Sequence, residues 1–260
     1  MVAPRVPTMP ADERRKESER QFHNQRFGAQ PDVRESLSRW YGAVAACART
    51  QQQLVERYGK GGKVLEYGCA DGRASIARDH FIDQTASFHG IDISDQAIDS
   101  ARQSAANRQL EKCSFSVMDA ENMTFPDAEF DVVFGSGILH HLDLNRAFSE
   151  IARVLRPGGK AIFSEPLGHN VFLKLFRRMT PRLRTADEHP LLMRDVSLAE
   201  KYFRLVEHRA FGMTTLLAVP LQAPFAKSKA MRFCEQADAV LLRVPVIRKN
   251  AWFVLLELTR

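Results

Sequence analysis

The sequence has few of the residues that mark a disulfide-rich, metal-ligating or membrane-spanning chain. Its 260 residues include four cysteines, and these are scattered without a metal-ligand spacing. No apolar run reaches the roughly 18 residues that a bilayer-spanning helix needs. The segment 1–7 lacks the apolar core of a secretory signal. We therefore expect a cytoplasmic protein with reduced thiols, Cys47, Cys69, Cys113 and Cys234.

Charge is unevenly distributed along the chain. Residues 63–165 carry 10 basic and 16 acidic side chains, whereas residues 1–62 carry 11 and 7, and residues 166–260 carry 16 and 8. The central segment is therefore acidic and its flanks are basic. Basic flanks are compatible with a membrane surface, an acidic substrate or nucleic acid. Simple solvation of exposed helices explains them equally directly and is the interpretation we favour.

Predicted strands and helices alternate from residue 63 onward. Apolar runs predict strands at 64–67, 88–92, 114–118, 130–134 and 161–164, and later at 204–211 and 251–259. Helical periodicity predicts helices at 73–81, 95–105, 147–155, 171–176, 197–203 and 225–244. Alternation of this kind predicts an α/β fold with a parallel sheet and helices on both faces.

A glycine-containing loop follows the first predicted strand. Gly68 and Gly72 let the backbone turn sharply and approach a ligand, and the helix that follows offers unpaired N–H groups. The loop is not a full dinucleotide fingerprint, and Glu66 precedes it within the strand. We predict that this segment binds part of a cofactor through Glu66, Gly68, Cys69, Ala70 and Gly72.

Acidic residues end the next two strands, where ligands of open parallel sheets bind. Asp92 lies 24 residues after Gly68, and its carboxylate is placed to accept hydrogen bonds from ribose hydroxyls. Asp119 and Ala120 end the third strand and are placed to contact an adenine ring. Ile93 completes this set of predicted cofactor contacts.

The fourth strand ends in Gly135 and Ser136, whose small size lets the main chain pass close to a cofactor. His140 follows and is the first candidate for a general base, with His169 and His189 as the others. His140 and His141 are sequence neighbours without an accompanying carboxylate motif. We therefore expect no metal site here.

Three runs together resemble the class I S-adenosylmethionine-dependent methyltransferases, in particular their ubiquinone-biosynthesis-like, type 11 branch. The runs lie at residues 66–72, 130–142 and 154–160, within a resemblance that covers about residues 60–166. It implies S-adenosylmethionine as cofactor and a Rossmann-like seven-stranded sheet in the order 3-2-1-4-5-7-6, with the last strand antiparallel. Ala70 departs from the family pattern, in which many relatives have glycine.

The segments outside the core are expected to determine the methyl acceptor. We predict an N-terminal helical lid at 1–57, with about ten disordered residues at its start, and a methyltransferase domain at 58–260. Substrate-cap insertions are expected near 167–195 and 212–245. The predicted function is metal-independent methylation of a small natural product or lipid-like molecule. The alternatives are an RNA or protein methyltransferase, although the chain lacks the usual amino-group methylation signature, and a membrane-peripheral protein that kept the fold.

Overall fold

A seven-stranded sheet forms the centre of the computed structural model, which describes residues 10–28, 38–180, 188–219 and 229–260. The strand order is β3-β2-β1-β4-β5-β7-β6, as the family resemblance implied. β7 runs antiparallel to both of its neighbours, and the other pairings are parallel. The strands are β1 (Lys63–Tyr67), β2 (Ser87–Asp92), β3 (Cys113–Val117), β4 (Phe130–Ser136), β5 (Leu155–Pro166), β6 (Leu205–Phe211) and β7 (Phe253–Thr259).

Helices cover both faces of this sheet, because successive strand residues point to opposite sides and both sides are apolar. In β1, Leu65 and Tyr67 pack into one core and Val64 packs into the other. The helices are α1 (Ala11–Gly28), α2 (Ser38–Tyr41), α3 (Ala45–Gly59), α4 (Arg73–Ile76), α5 (Asp79–Gln84), α6 (Asp95–Asn107), α7 (Leu144–Val154), α8 (Val171–Met179), α9 (Met193–Leu198), α10 (Thr214–Ala218), α11 (Lys229–Leu241) and α12 (Pro245–Arg248).

The helix expected over residues 73–81 is two helices, α4 and α5, and the prediction of one continuous helix was wrong. The backbone leaves helical geometry at Arg78, with φ −109° and ψ 43°. An unbroken helix would place exposed His80 one turn after buried Ile76. The break instead brings Phe81 and Ile82 into the core beside Ile76.

Other boundaries also differ from the sequence prediction. α9 begins at Met193 rather than 197, because the Asp195 carboxylate accepts a hydrogen bond from the Leu192 N–H at 2.7 Å and starts the helix early. Leu155 belongs to β5 and not to α7, since it pairs with Phe130 across an irregularity in register. The predicted helix at 225–244 is α11, and its first expected residues lie outside the described part of the chain.

The described helices include none that is both long and apolar enough to cross a membrane.

β1 carries an acidic residue inside the sheet. Glu66 pairs with Gly90 of β2 and Phe134 of β4, and its Oε2 atom is buried without a hydrogen-bond partner. Burial raises the pKa of Glu66 to about 7, although a hydrogen bond with Ser75 and the charge of Arg78 act in the opposite direction. The folded chain therefore holds a proton that the unfolded chain releases near pH 4.5.

This proton makes the stability of the fold depend on pH. The contribution of Glu66 is fully present below pH 4.5 and is lost as pH rises through about 7. We expect Glu66→Gln to be more stable than wild type at pH 8, by at most about 3 kcal/mol, and nearly equal to it at pH 4.5. Urea unfolding at both pH values measures this. Glu111→Gln, at an exposed position, is the control. A pH-independent difference between Glu66→Gln and wild type would contradict the prediction.

Candidate functional site

One cavity of about 750 Å³ opens at the carboxyl ends of the parallel strands. Its floor comes from the segments that follow β1, β2, β3, β4 and β5, and its roof comes from α1, the α2–α3 region and residues near α8. The sheet creates this cavity because its parallel strands all end at the same edge. Of the predicted cofactor residues, those that line it are Gly68, Ala70, Asp92, Ile93, Asp119, Ala120, Ser136 and His140.

The remaining predicted residues lie behind the cavity wall. Cys69 and Gly135 are buried, Gly72 packs on Phe115, and Glu66 lies within the sheet. These four residues shape the loop and strand ends and do not line the cavity.

The loop after β1 has the left-handed backbone that its glycines suggested. Gly68 has φ +74°, and a Cβ atom there would lie 2.8 Å from the Ile138 side chain. Ala70 has φ +51° without being glycine, a conformation that costs an alanine about 1–2 kcal/mol. Its N–H donates to Asp92 Oδ2 at 2.8 Å, and this hydrogen bond holds the strained residue in place. The hydrogen bond to Asp92 therefore accommodates alanine at position 70, where the resemblance leads one to expect glycine.

Both predicted carboxylates face the cavity, but each also has a structural contact. Asp92 accepts hydrogen bonds from the N–H groups of Ala70 and Ser94, which leaves further lone pairs on both oxygens. Asp119 accepts from Glu121 N at 2.8 Å, and its Oδ2 lies 2.8 Å from Lys16 Nζ. The Tyr67 hydroxyl donates to Ala120 O and fixes this turn from below.

The predicted lid helix α1 covers the same strand ends through ion pairs. Lys16 contacts Asp119, and Arg15 Nη2 lies 2.6 Å from Glu121, whose side chain is fully buried. Arg15 also donates to the carbonyl of His141 at 2.7 Å. These contacts hold α1 over the cavity through charged side chains.

Gln51 of α3, which was not among the predicted site residues, is buried against the ends of β4 and β5. Its amide donates to Gly135 O at 2.7 Å, and its carbonyl oxygen accepts from the hydroxyls of Ser136 and Ser164. Gln51 therefore links α3 to the ends of both strands. No local pattern around Gln51 could reveal this role, because its partners lie more than 80 residues away.

The turn after β4 depends on Glu165, which is fully buried at the end of β5. Its Oε1 atom accepts hydrogen bonds from the N–H groups of Ile138 and Leu139, both at 2.9 Å. Its Oε2 atom lies 2.7 Å from His140 Nδ1. On the other side of the ring, His140 Nε2 lies 3.6 Å from Glu188.

These two carboxylates determine the protonation of His140. Burial lowers the pKa of His140, but the hydrogen bonds to Glu165 and Glu188 outweigh it and raise that pKa to about 9. In the same pair, the pKa of Glu188 falls to about 2: burial opposes this shift, and the contact with His140 outweighs burial. His140 is therefore an imidazolium at neutral pH in this arrangement, and must lose a proton before it can act as a base.

The other two candidate bases do not line the cavity. His169 Nε2 accepts a hydrogen bond from Met193 N at 3.0 Å, and burial together with nearby lysines lowers the pKa of His169. His189 is exposed, and its backbone N–H donates to the His140 carbonyl. Of the three, His140 alone faces the cavity.

Two further acidic residues near the site, Glu121 and Glu188, were not among the predicted site residues.

The spacing of the ionisable residues along α1 is a sequence signal that could have indicated the contacts of this helix with the strand ends. Asp12, Arg15, Lys16, Glu19 and His23 recur every three or four residues and place ionisable groups on one helix face. That face is turned toward the protein, as the contacts of Arg15 and Lys16 demonstrate.

Comparison with known proteins gives matches to the central segment and to the fold. Residues 65–163 match a family model described as a methyltransferase domain. The chain is 35% identical over 108 residues to aklanonic acid methyltransferase DauC of Streptomyces sp. strain C5, covering 41% of this chain and 49% of that protein. It is 34% identical over 102 residues to 27-O-demethylrifamycin SV methyltransferase of Amycolatopsis mediterranei strain S699, covering 38% of this chain and 37% of that protein.

Among solved structures, the chain superposes on geranyl diphosphate C-methyltransferase from Streptomyces coelicolor A3(2), determined with Mg²⁺, geranyl diphosphate and S-adenosyl-L-homocysteine. The TM-score is 0.63 at 12% identity, over the full length of both chains, a likeness of fold. The chain spans half or less of the length of the two curated relatives, so similarity to them concerns the central segment.

The ion pairs of α1 predict how this helix responds to mutation. Lys16→Met removes the contacts with Asp119 and Glu121, and Arg15→Met leaves the buried Glu121 carboxylate with fewer donors. We expect amide hydrogen exchange at residues 11–28 to accelerate at least tenfold in both variants, because each loses part of the ion-pair set that anchors α1. Exchange in the sheet should stay unchanged.

The control for this experiment is Arg20→Met, since Arg20 pairs with Glu17 on the outer side of the same helix. If Arg20→Met accelerates exchange as strongly as Lys16→Met, the anchoring role of Lys16 is wrong.

Proposed function

We propose that the protein methylates a small-molecule acceptor with S-adenosylmethionine as donor, because residues 65–163 match the model of a methyltransferase domain. The observation that carries the proposal is the convergence of three strand ends on one cavity. The loop at Gly68, the carboxylate of Asp92 and the turn at Asp119 line it together.

The residues present fit S-adenosylmethionine. The absence of a side chain at Gly68 lets Ile138 pack against the loop, where a Cβ atom would lie 2.8 Å from it, and both residues line the cavity. We assign Asp92 to the ribose hydroxyls, and Asp119 with Ala120 to the adenine ring, because all three line the cavity. Ser136 and His140 lie on the wall beyond them.

When bound, S-adenosylmethionine supplies an activated methyl group, so the protein mainly has to position the acceptor and exclude water. α1 covers the strand ends, and Gln51 and Glu165 hold the ends of β4 and β5 rigid. Rigid placement of two reactants accounts for a large share of the acceleration in such transfers.

The cavity walls favour an acceptor that is largely apolar with a polar end. Aromatic and aliphatic side chains form one region, and His140, His141, Glu188 and Arg177 form the other. Both relatives bear the names of small-molecule methyltransferases. We infer an aromatic or isoprenoid-like acceptor whose polar group contacts the histidines. The apolar region consists of Trp40, Tyr41, Val44, Leu173, Leu216, Trp252 and Phe253.

A membrane-peripheral role is the alternative that a specific observation favours. Val171, Leu175 and Met179 recur on one face of α8, each more than half exposed, beside the exposed cations Lys174 and Arg178. Liposome flotation with and without anionic lipid tests this role. A cytoplasmic location stays a prediction, and so does RNA or protein methylation, which retention on immobilised RNA at physiological salt would test.

The cofactor part of the proposal predicts the effect of one substitution. Asp92→Asn keeps an acceptor for the loop but removes the charge offered to the ribose. We expect S-adenosylmethionine to bind roughly 10- to 100-fold more weakly in calorimetry, the range of a lost charged hydrogen bond. Asp99→Asn, on the exposed face of α6, is the matched control and should bind as wild type. Equal affinities for Asp92→Asn and wild type would remove the basis for the ribose assignment.

Activity is tested with methyl-labelled S-adenosylmethionine and three acceptor classes: polycyclic phenols, isoprenoid lipids and RNA. We expect label in a phenol or isoprenoid and none in RNA. Label in RNA alone would overturn the small-molecule acceptor, and failure of wild type to bind S-adenosylmethionine would overturn the proposal.

A further inference from the structure

Two histidines and a carboxylate meet at the wall of the cavity. One ligand atom from each of His140, His141 and Glu188 lies within 4.8 Å of the others. Both histidines are buried, with exposed fractions of 6% and 7%, and the Glu188 side chain is 5% exposed. We propose that these three residues bind a divalent transition-metal ion of the zinc type. Binding displaces a proton from the His140 ring, which coordinates the ion as a neutral imidazole through Nε2.

In the sequence, the adjacency of the two histidines speaks against a metal site. The structure removes that obstacle, because Leu139–His141 forms a single 3₁₀ turn. The ring centroids of His140 and His141 are 4.2 Å apart, with 39° between the planes, so the two rings lie side by side. Glu188, which is 47 positions from His141, supplies the carboxylate that local sequence did not offer.

The distances suit a small ion after a modest adjustment. Two ligands on tetrahedral zinc, each about 2.0–2.2 Å from the ion, are about 3.3 Å apart. His140 Nε2 and Glu188 Oε1 are already 3.6 Å apart. The widest separation in the group has to shorten by about 1.5 Å at most.

A carboxylate behind one ligand supports the assignment. Glu165 binds His140 Nδ1 at 2.7 Å and so fixes the ring with Nε2 directed toward Glu188. A carboxylate that holds the far nitrogen of a metal-bound histidine is the usual arrangement in zinc sites. Glu165 is itself fixed by two backbone N–H groups, so it is rigid before any ion binds.

A second carboxylate lies beside His141. Glu19 Oε2 is 3.2 Å from His141 Nδ1, so each histidine of the group has a carboxylate next to its Nδ1 atom. Arg177 Nη2 lies 2.9 Å from Glu188 Oε1 and would stay beside the ion as a second cation.

The donor set indicates the class of ion. Imidazole nitrogens suit zinc, iron, cobalt and nickel, whereas Mg²⁺ prefers oxygen ligands. An ion here would keep an open position toward the cavity, where an oxygen of the acceptor could coordinate. This consequence rests on the proposed function, whereas binding of the ion does not.

The test is calorimetry with Zn²⁺ on the full chain after removal of metals by a chelator, with Mg²⁺ in parallel. We expect one Zn²⁺ per chain and at least tenfold weaker Mg²⁺. Glu188→Gln and His141→Ala should each weaken Zn²⁺ at least tenfold. His80→Ala, at an exposed histidine of α5, should bind as wild type. Unchanged Zn²⁺ affinity in both cavity variants would overturn the site.

Two further measurements keep the outcomes distinct. Co²⁺ added to wild type should give the intense visible bands of a four- or five-coordinate ion, and weak octahedral bands would overturn the site even if the variants fail to fold. S-adenosylmethionine binding is measured on the same samples. Cofactor binding without a Zn²⁺ site contradicts this inference alone, and a Zn²⁺ site without cofactor binding contradicts the proposed function alone.

Discussion

The hydrogen bonds of the Glu165 carboxylate are the contacts on which the rest of the site depends. A buried carboxylate is tolerated when several donors satisfy it, and Glu165 has Ile138 N, Leu139 N and His140 Nδ1. These three groups belong to the turn after β4, so one side chain of β5 determines its path. The path of this turn determines where His140 and His141 lie in the cavity wall.

The opposing charges seen along the sequence take on a spatial meaning in the fold. The acidic central segment places Asp119 and Glu121 at the strand ends, and the N-terminal segment places Lys16 and Arg15 on them. Some basic residues of the N-terminal segment therefore form ion pairs with acidic residues of the same chain. The surface cations that remain, such as Lys174 and Arg178 on α8, are those that an outside partner could contact.

The parts of the site that sequence predicted are those determined by local periodicity and topology. Asp92 and Asp119 were predictable because parallel strands end at one edge, so position along each strand determines position at the cavity. Gln51 and Glu188 were not, since their roles come from residues distant in the chain. The break between α4 and α5 escaped prediction for a similar reason: packing of Phe81 and Ile82 overrides helical periodicity.

The composition of α1 has a thermodynamic consequence for ligand exchange. The helix has few apolar side chains, Ala11, Phe22 and Phe27, and its polar face makes the contacts with the strand ends. Lifting it would expose little hydrocarbon, so opening would carry a small heat-capacity change. Its energy would be largely electrostatic and would weaken as ionic strength rises. Admission of ligands would then respond to salt more than to temperature.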